Sequence, residues 1–101
     1  MIARFWRGVT PESKAKDYFE YLKSTGIRDA RRVKGNQGVL VMRRISEGHA
    51  EFLVFSLWDS PDTVREFSGA DISKSKYYPR DMEFLVDLEP EVAHYEVLLG
   101  P

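Results

Sequence analysis

The chain has 101 residues, of which 43% are hydrophobic, enough for one folded domain with a modest core. Its 15 basic and 16 acidic residues nearly cancel, so the net charge of -1 gives no reason to expect nucleic acid or an anionic membrane as a partner. The absence of cysteine excludes disulfides, thiol catalysis and thiolate metal sites. No apolar run approaches the roughly 20 residues that span a bilayer, and the first residues lack the apolar core of a signal peptide. We therefore expect a soluble cytoplasmic protein.

The first third of the chain predicts a strand followed by a helix. Ile2–Val9 is rich in aromatic and branched residues, which favours a strand. Thr10–Glu12 is typical of a helix start, with a hydroxyl cap, a proline at the first helical position and an acid in the first turn. Gly26 ends this helix, and residues 27–38 are predicted as a loop. Helical spacing places four residues on its apolar face: Ala15, Tyr18, Phe19 and Leu22.

The middle of the chain predicts a hairpin and a second helix. Val39–Ile45 is the second strand, Ser46–His49 makes a tight turn, and residues 50–58 return as the third strand. Ser60–Asp62 then caps the second helix, which Gly69 closes. Val64 and Phe67 are expected to face the core.

The last third of the chain is less regular. Residues 70–78 are predicted to be irregular and to form a lid. Pro79 starts another short helix, and Val92–Leu99 is the last strand. The apolar residues of the short helix are Met82, Leu85 and Val86.

These elements, over a single domain of residues 1–101, follow the ferredoxin-like α+β pattern of an antiparallel four-stranded sheet with helices on one face. Leaving an apolar row of the sheet in water exposes more apolar surface than monomers usually carry. We therefore expect a homodimer that forms through the open sheet face. Alternation along the third strand gives two such rows, one of Phe52, Val54 and Ser56 and the other of Leu53, Phe55 and Leu57.

Short motifs that span nearly the whole chain resemble the antibiotic biosynthesis monooxygenase domain family. Members of that family fold as dimeric α+β barrels. They include cofactor-free quinone-forming oxygenases and haem-degrading enzymes. The resemblance therefore implies the same dimeric α+β barrel here. In chain order, the motifs are Ala3–Gly8, Gly35–Val39 with Arg43 and Arg44 after it, Leu57–Ser60, Phe67–Gly69 and Glu89–Val97.

The departures from the haem-degrading relatives narrow the function that the resemblance implies. Those relatives use an asparagine in the first strand, a tryptophan at the end of the third and a histidine after the second helix. Trp58 matches the tryptophan, but the first strand has Trp6 and Arg7 and no asparagine. Lys76–Tyr78 stand where the histidine would fall, so the usual axial ligand of haem iron is missing. We expect no cofactor, and two distant histidines predict no metal site.

The resemblance then implies a cofactor-free monooxygenase-like protein that acts on a small aromatic or quinone-type molecule. Such chemistry needs a base, a hydrogen-bonding group for the developing oxyanion and a dry pocket. His94 is the candidate base, because it lies in an apolar strand with Glu96 two residues on. The alternative is a histidine that is hydrogen-bonded in a dimer interface.

The candidate substrate-binding residues are aromatic and basic. Trp58, Trp6 and Tyr77 would wall an aromatic pocket; the alternative is ordinary packing, in the core for Trp58 and at the surface for Tyr77. Arg4 and Arg43 lie inside strand patterns and would hold a carboxylate or enolate, or else extend to the sheet edge. The competing hypothesis for the whole chain is a non-catalytic homodimer that binds a small ligand or has a structural role.

Overall fold

The structure is a computed structural model that describes residues 1–100. Its four strands form one antiparallel sheet, and the helices pack on one face of that sheet. In chain order the elements are β1 (Ile2–Pro11), α1 (Ala15–Ser24), α2 (Gly26–Arg32), β2 (Asn36–Ser46), β3 (His49–Trp58), α3 (Pro61–Ser68) and β4 (Ala93–Glu96). Short 3-10 turns cover Glu12–Lys14 and Asp81–Glu83. The strand order is β2-β3-β1-β4, which confirms the ferredoxin-like α+β fold.

None of the helices in residues 1–100 has the length and apolar character needed to cross a membrane.

The strands β1 and β3 form the centre of the sheet, and they alternate as the sequence predicts. Phe52, Ser56 and Trp58 face the helices and are buried. Leu53 and Phe55 face the other side and are only half-buried. The helices of one chain thus cover one sheet face, while the other face stays open.

Tyr18 on α1 is the centre of the larger of two core clusters. Its side chain is fully buried, and its ring centroid lies 5.3 Å from both Phe52 and Phe84. A second cluster joins Trp58 to Val64 of α3, at the other end of the sheet. The two clusters hold the helices against β1 and β3 and leave a space between them.

The cap of α3 forms as the sequence predicts. The Thr63 backbone N–H donates to the Ser60 hydroxyl at 3.4 Å, and the Ser60 backbone N–H donates to the Thr63 hydroxyl at 3.3 Å. Gly69 closes the helix with φ 97°, a left-handed conformation that glycine adopts without strain. Such reciprocal bonds satisfy two N–H groups that the first turn of a helix leaves free.

The predicted start of the first helix was wrong. Thr10 and Pro11 belong to β1, because this strand continues until Pro11 pairs with His49. The Thr10 hydroxyl donates to the Pro11 carbonyl instead of capping a helix. A 3-10 turn follows, and α1 begins at Ala15.

The loop predicted for residues 27–38 was also wrong, because α2 occupies Gly26–Arg32. Only Ile27 and Ala30 anchor this helix in the core. The other side chains after Ile27 in this helix are charged. Two apolar residues are too few to show a helical period, so the pattern did not distinguish a helix from a loop.

The helix predicted after Pro79 is only the 3-10 turn Asp81–Glu83, and most of its expected apolar face is exposed. Met82 is 76% exposed and Val86 53% exposed, while Leu85 is buried. Asp81 takes the inward position instead and is 4% exposed.

The last strand is shorter than the predicted Val92–Leu99. Pairing of β4 with β1 covers Ala93–Glu96, and the Val97 backbone N–H makes one more bond, to the Met1 carbonyl. Leu98 and Leu99 have no strand beside them and are 88% and 92% exposed.

Candidate active site

A small cavity lies between the sheet and the helices, in the space between the two core clusters. Its volume of about 60 Å³ would hold roughly four or five water molecules at ~10–15 Å³ each. Most of its wall is apolar, from residues such as Leu22, Ile27, Val39 and Val54. The polar residues on its wall are Arg4, Tyr18, Ser56, Lys76, Tyr78 and Asp81.

Arg4 contributes a buried positive charge to this wall. The residue is 4% exposed, and burial lowers the pKa of its guanidinium to about 10, so it remains charged at neutral pH. No carboxylate within residues 1–100 lies within 4.0 Å of it. A buried charge without a counterion is unfavourable, and such groups are common at functional sites.

The partners of Arg4 are carbonyls and an imidazole. Nη1 donates to the Ile72 carbonyl at 2.7 Å and to His94 Nε2 at 3.1 Å, and Nη2 donates to the Lys74 carbonyl at 3.1 Å. Arg4 therefore holds residues 69–80 over the cavity. This segment is irregular, as predicted, and its Ser75 backbone N–H also bonds to Pro90.

His94 lies beside Arg4 because the two residues pair in register across β1 and β4. A guanidinium can only donate, so His94 Nε2 accepts this bond and the ring proton lies on Nδ1. Burial, and then the Arg4 charge, lower the pKa of His94. The imidazole is not part of the cavity wall, and Glu96 beyond it is exposed. In this geometry His94 orients Arg4, and its role as a base remains a prediction.

A lowered pKa of His94 predicts acid sensitivity. The unfolded chain takes up a proton as the pH falls through about 6.5, the ordinary value, whereas the folded chain resists this protonation. The free energy of unfolding should therefore fall as the pH decreases below 6.5, and His94→Gln should reduce that fall, because glutamine accepts from Arg4 without titrating. Urea unfolding at pH 7.5 and 5.5 measures this. His49→Gln, at an exposed position, is the matched control, and an equal pH dependence in all three proteins contradicts the prediction.

Within residues 1–100, Asp81 is the only carboxylate on the cavity wall, and the sequence analysis did not identify it. Its Oδ1 accepts from the Tyr18 hydroxyl at 3.3 Å, and its Oδ2 accepts from the Tyr78 backbone N–H at 2.7 Å. Burial raises the pKa of Asp81, although both hydrogen bonds lower it. A carboxyl group with a raised pKa in an apolar cavity can take up a proton. The only sequence signal was an acid near Pro79, which also fits a helix start.

Trp6 covers the floor of the cavity near Gly8. A Cβ atom on Gly8 would come within 2.2 Å of Trp6 Cη2, so only glycine leaves room for this indole. The Trp6 Nε1–H is buried and has no hydrogen-bond partner among residues 1–100. Tyr77 packs against the indole at 6.3 Å between ring centroids, and its hydroxyl donates to the Glu89 carbonyl.

The structure therefore separates the predicted site residues into two groups. Arg4 and Trp6 line the cavity, and His94 lies directly behind Arg4. Three others do not line it: Trp58, Tyr77 and Arg43.

Trp58 and Arg43 lie outside the cavity for different reasons. Trp58 is fully buried behind the wall, where its Nε1–H donates to the Ser56 hydroxyl at 2.8 Å and its ring packs against Phe67. Arg43 lies on the edge strand β2 and is exposed. Tyr78, one residue after Tyr77, lines the cavity instead.

Among residues 1–100, no group of three His, Cys, Asp or Glu residues lies close enough together to hold a metal ion.

The chain shares its ferredoxin-like α+β fold with solved structures that include a putative antibiotic biosynthesis monooxygenase, a protein of the family that its sequence motifs resemble. A putative antibiotic biosynthesis monooxygenase from Bacillus cereus is similar over 99% of this chain and 95% of its own, with a TM-score of 0.66 and 15% identity. The structure of Rv0793 from Mycobacterium tuberculosis is similar over 98% of this chain and 96% of its own, with a TM-score of 0.64 and 18% identity. The haem degrader MhuD from the same organism, solved with two haems in its active site, is similar over 100% and 99%, with a TM-score of 0.59 and 12% identity.

At these identities the likeness concerns the fold. The sequence matches no family model and no curated protein. The activity must therefore be argued from the cavity itself.

Proposed function

We propose that the protein is a cofactor-free monooxygenase-like enzyme that oxidises a small aromatic or quinone-type molecule inside this cavity. The observation that carries the proposal is the buried guanidinium of Arg4 in a mostly apolar wall. Such a group stabilises a developing oxyanion strongly, because little water screens it. Trp6 and Phe67 supply aromatic surface in the same cavity, and the Phe67 ring centroid lies 5.9 Å from the Arg4 guanidinium carbon.

The reaction needs only the substrate, oxygen and a base. A phenol gives its O–H proton to the base, and the resulting anion has negative charge on a ring carbon as well as on oxygen. That carbon forms a bond to O₂, the ring C–H proton is then lost, the O–O bond breaks, and water leaves. The sum is one phenol and one O₂ giving one quinone and one water. Arg4 would stabilise the phenolate and thereby favour the first step.

Two residues are candidates for the base. His94 is the base that the sequence predicts, but its Nε2 lone pair is bonded to Arg4. Asp81 lines the cavity directly, and burial raises its pKa towards that of a useful base. The geometry favours Asp81 as the proton acceptor and His94 as the residue that positions Arg4.

Oxygen uptake with a panel of hydroquinones and naphthols tests the enzyme and separates these roles. Removing a general base should slow the reaction by about 10²–10⁴-fold. If His94 positions Arg4, His94→Ala should show a large loss and His94→Gln a small one, while Asp81→Asn should lose most of the activity. If His94 is the base, both His94 variants should be inactive. Absence of oxygen uptake with every compound overturns the enzyme proposal.

Haem does not fit the residues that line the cavity, and we propose that no cofactor takes part. The wall, within the residues described, contains no histidine, cysteine or methionine to serve as an axial ligand. Tyr18 and Tyr78 donate their hydroxyl groups to Asp81 and Asp29. Burial raises the pKa of both tyrosines, which disfavours the tyrosinate that iron would need.

The competing proposal is a non-catalytic protein that binds a small ligand in the same cavity. The hydrogen bond that occupies His94 Nε2 favours it over a reaction with His94 as the base, because it leaves the imidazole without a free lone pair. A protein of this kind would bind phenols without consuming oxygen. The oxygen-uptake panel therefore distinguishes the two proposals.

We further propose that the protein works as a homodimer through the open sheet face. Leu40 on β2 is 57% exposed and Tyr95 on β4 is 60% exposed, while Phe5 and Phe55 pack edge to face between them at 4.5 Å. A second copy of the chain supplies a matching apolar face, as the dimeric α+β barrels of the resembled family imply.

An ion-pair network borders this apolar surface. Arg7 contacts Glu51 at 2.6 Å and Glu89 at 2.9 Å, and Arg44 contacts Glu51 at 3.0 Å. Arg7, Arg44 and Glu51 point to the open face at one end of the sheet. A polar border around an apolar centre is typical of protein interfaces.

A further inference from the structure

We propose that the cavity selects a small aromatic molecule that carries a carboxylate or another anionic oxygen, with that oxygen bound to the Arg4 guanidinium. The inference concerns the same cavity as the proposed function and names its ligand class. It is tested by binding alone, so it does not depend on turnover.

The charges on the cavity wall favour an anion. Arg4 and Lys76 are both cationic, and neither has a carboxylate within 4.0 Å in residues 1–100. Lys76 Nζ donates to the Phe67 carbonyl at 2.8 Å. Asp81, the one carboxylate that residues 1–100 place on the wall, bonds to Tyr18 and to a backbone N–H instead of to a cation. A positive charge therefore remains unbalanced in the cavity.

Some hydrogen-bond donors of the wall also lack an acceptor among the described residues. A guanidinium has five N–H donors, and Arg4 makes three hydrogen bonds, to Ile72, Lys74 and His94. The buried Trp6 Nε1–H has no partner within the described residues. Buried donors of this kind are rare unless water or a ligand accepts from them. A carboxylate, with two acceptor oxygens, complements such a wall.

The aromatic part of the ligand follows from the neighbours of the two cations. Phe67 lies 5.9 Å from the Arg4 guanidinium carbon and 4.6 Å from Lys76 Nζ, measured to the ring centroid. Trp6, Tyr18 and Tyr78 complete the aromatic wall. An aromatic ring packs well against these faces. The volume of about 60 Å³ leaves no room for more than one ring.

The two tryptophans of the chain provide an internal control for the experiment. Trp6 lines the cavity, and its indole N–H has no partner among residues 1–100, whereas the Trp58 indole N–H is bonded to Ser56 behind the wall. In a ¹H–¹⁵N correlation spectrum, benzoate should shift the Trp6 indole peak saturably and leave the Trp58 peak nearly unchanged. Trp6→Phe assigns the two peaks. Benzamide and benzylammonium, which have the same ring without the negative charge, should bind at least about tenfold more weakly.

Two variants test which positive charge of the cavity wall binds benzoate. Arg4→Gln should weaken benzoate binding by about tenfold or more and should remove the preference over benzamide. Because Arg4 also holds residues 69–80, Lys76→Met serves as a second variant that leaves the Arg4 contacts intact. It should weaken benzoate binding by a smaller factor and leave benzamide binding unchanged.

Three results overturn the inference: benzamide binding as tightly as benzoate, benzoate shifting both indole peaks equally, or no saturable shift at all. The outcomes also separate this inference from the proposed function. Benzoate binding without oxygen uptake from any phenol supports the anion site and overturns the enzyme. Oxygen uptake without any preference for the anion supports the enzyme and overturns the site.

Discussion

Replacing Phe55 by glutamate is expected to convert the proposed dimer into a monomer. Phe55 lies on the central strand β3, half-buried on the open sheet face, and packs edge to face against Phe5. In a symmetric interface each substitution occurs twice, so two carboxylates would be desolvated between apolar surfaces. That penalty is on the order of several kcal/mol for each buried charge, which is enough to dissociate most protein dimers at micromolar concentration. Light scattering after gel filtration at micromolar concentration measures the mass directly.

Two further variants separate dissociation from unfolding. Leu40→Glu alters a side chain that is already 57% exposed in the single chain, so it should dissociate the dimer without weakening the subunit. Met82→Glu makes the same change in chemistry at a position 76% exposed on the 3-10 turn, and it should leave the mass unchanged. A wild-type protein with the mass of one chain at micromolar concentration rules out the dimer, as does a stable dimer in both sheet variants.

The fold could be predicted where its signals are local. Ser60 and Pro61 define the start of α3 by themselves, and the turn between β2 and β3 is equally short-range. Alternation along β3 identified both faces of the sheet, because a strand repeats every two residues. The helix α2 was missed because its two core residues, Ile27 and Ala30, give too little periodicity.

The sequence could bring residues of the candidate site together only where these residues lie on neighbouring strands. Arg4 and His94 are 90 residues apart along the chain, and they meet because β1 and β4 are neighbours in the sheet. In the irregular segment, residues 69–80, no strand pairing determines which side chains face the cavity. Of two consecutive tyrosines, Tyr78 faces the cavity and Tyr77 does not, and no periodicity distinguishes them. Asp81 reaches the cavity from the 3-10 turn that follows this segment.

Replacing Tyr18 by alanine is expected to cause the largest loss of stability among single substitutions in the α1 core. The ring is fully buried and packs against Trp6, Tyr21, Phe52 and Phe84. Removing a buried aromatic side chain costs about 3–5 kcal/mol. Domains of this size are stable by only about 5–15 kcal/mol, so the melting temperature should fall by about 15 °C or more. Thermal and urea unfolding, followed by circular dichroism, measure the loss.

The matched control, Tyr18→Phe, keeps the ring and removes only the hydroxyl group that donates to Asp81 at 3.3 Å. It should cost about 1 kcal/mol, as expected for one hydrogen bond. That bond lowers the pKa of Asp81, so its loss should raise this pKa further.

Proton uptake by Asp81 makes the stability of the folded chain depend on pH. A carboxyl group with a raised pKa in the folded state binds more protons there than in the unfolded state, so stability falls as the pH rises above its ordinary 3.8. Tyr18→Phe should therefore steepen this fall above pH 4, while Tyr18→Ala should lower stability at every pH. Equal losses in the two variants would mean that the hydroxyl, and not the packing of the ring, attaches α1 to the sheet.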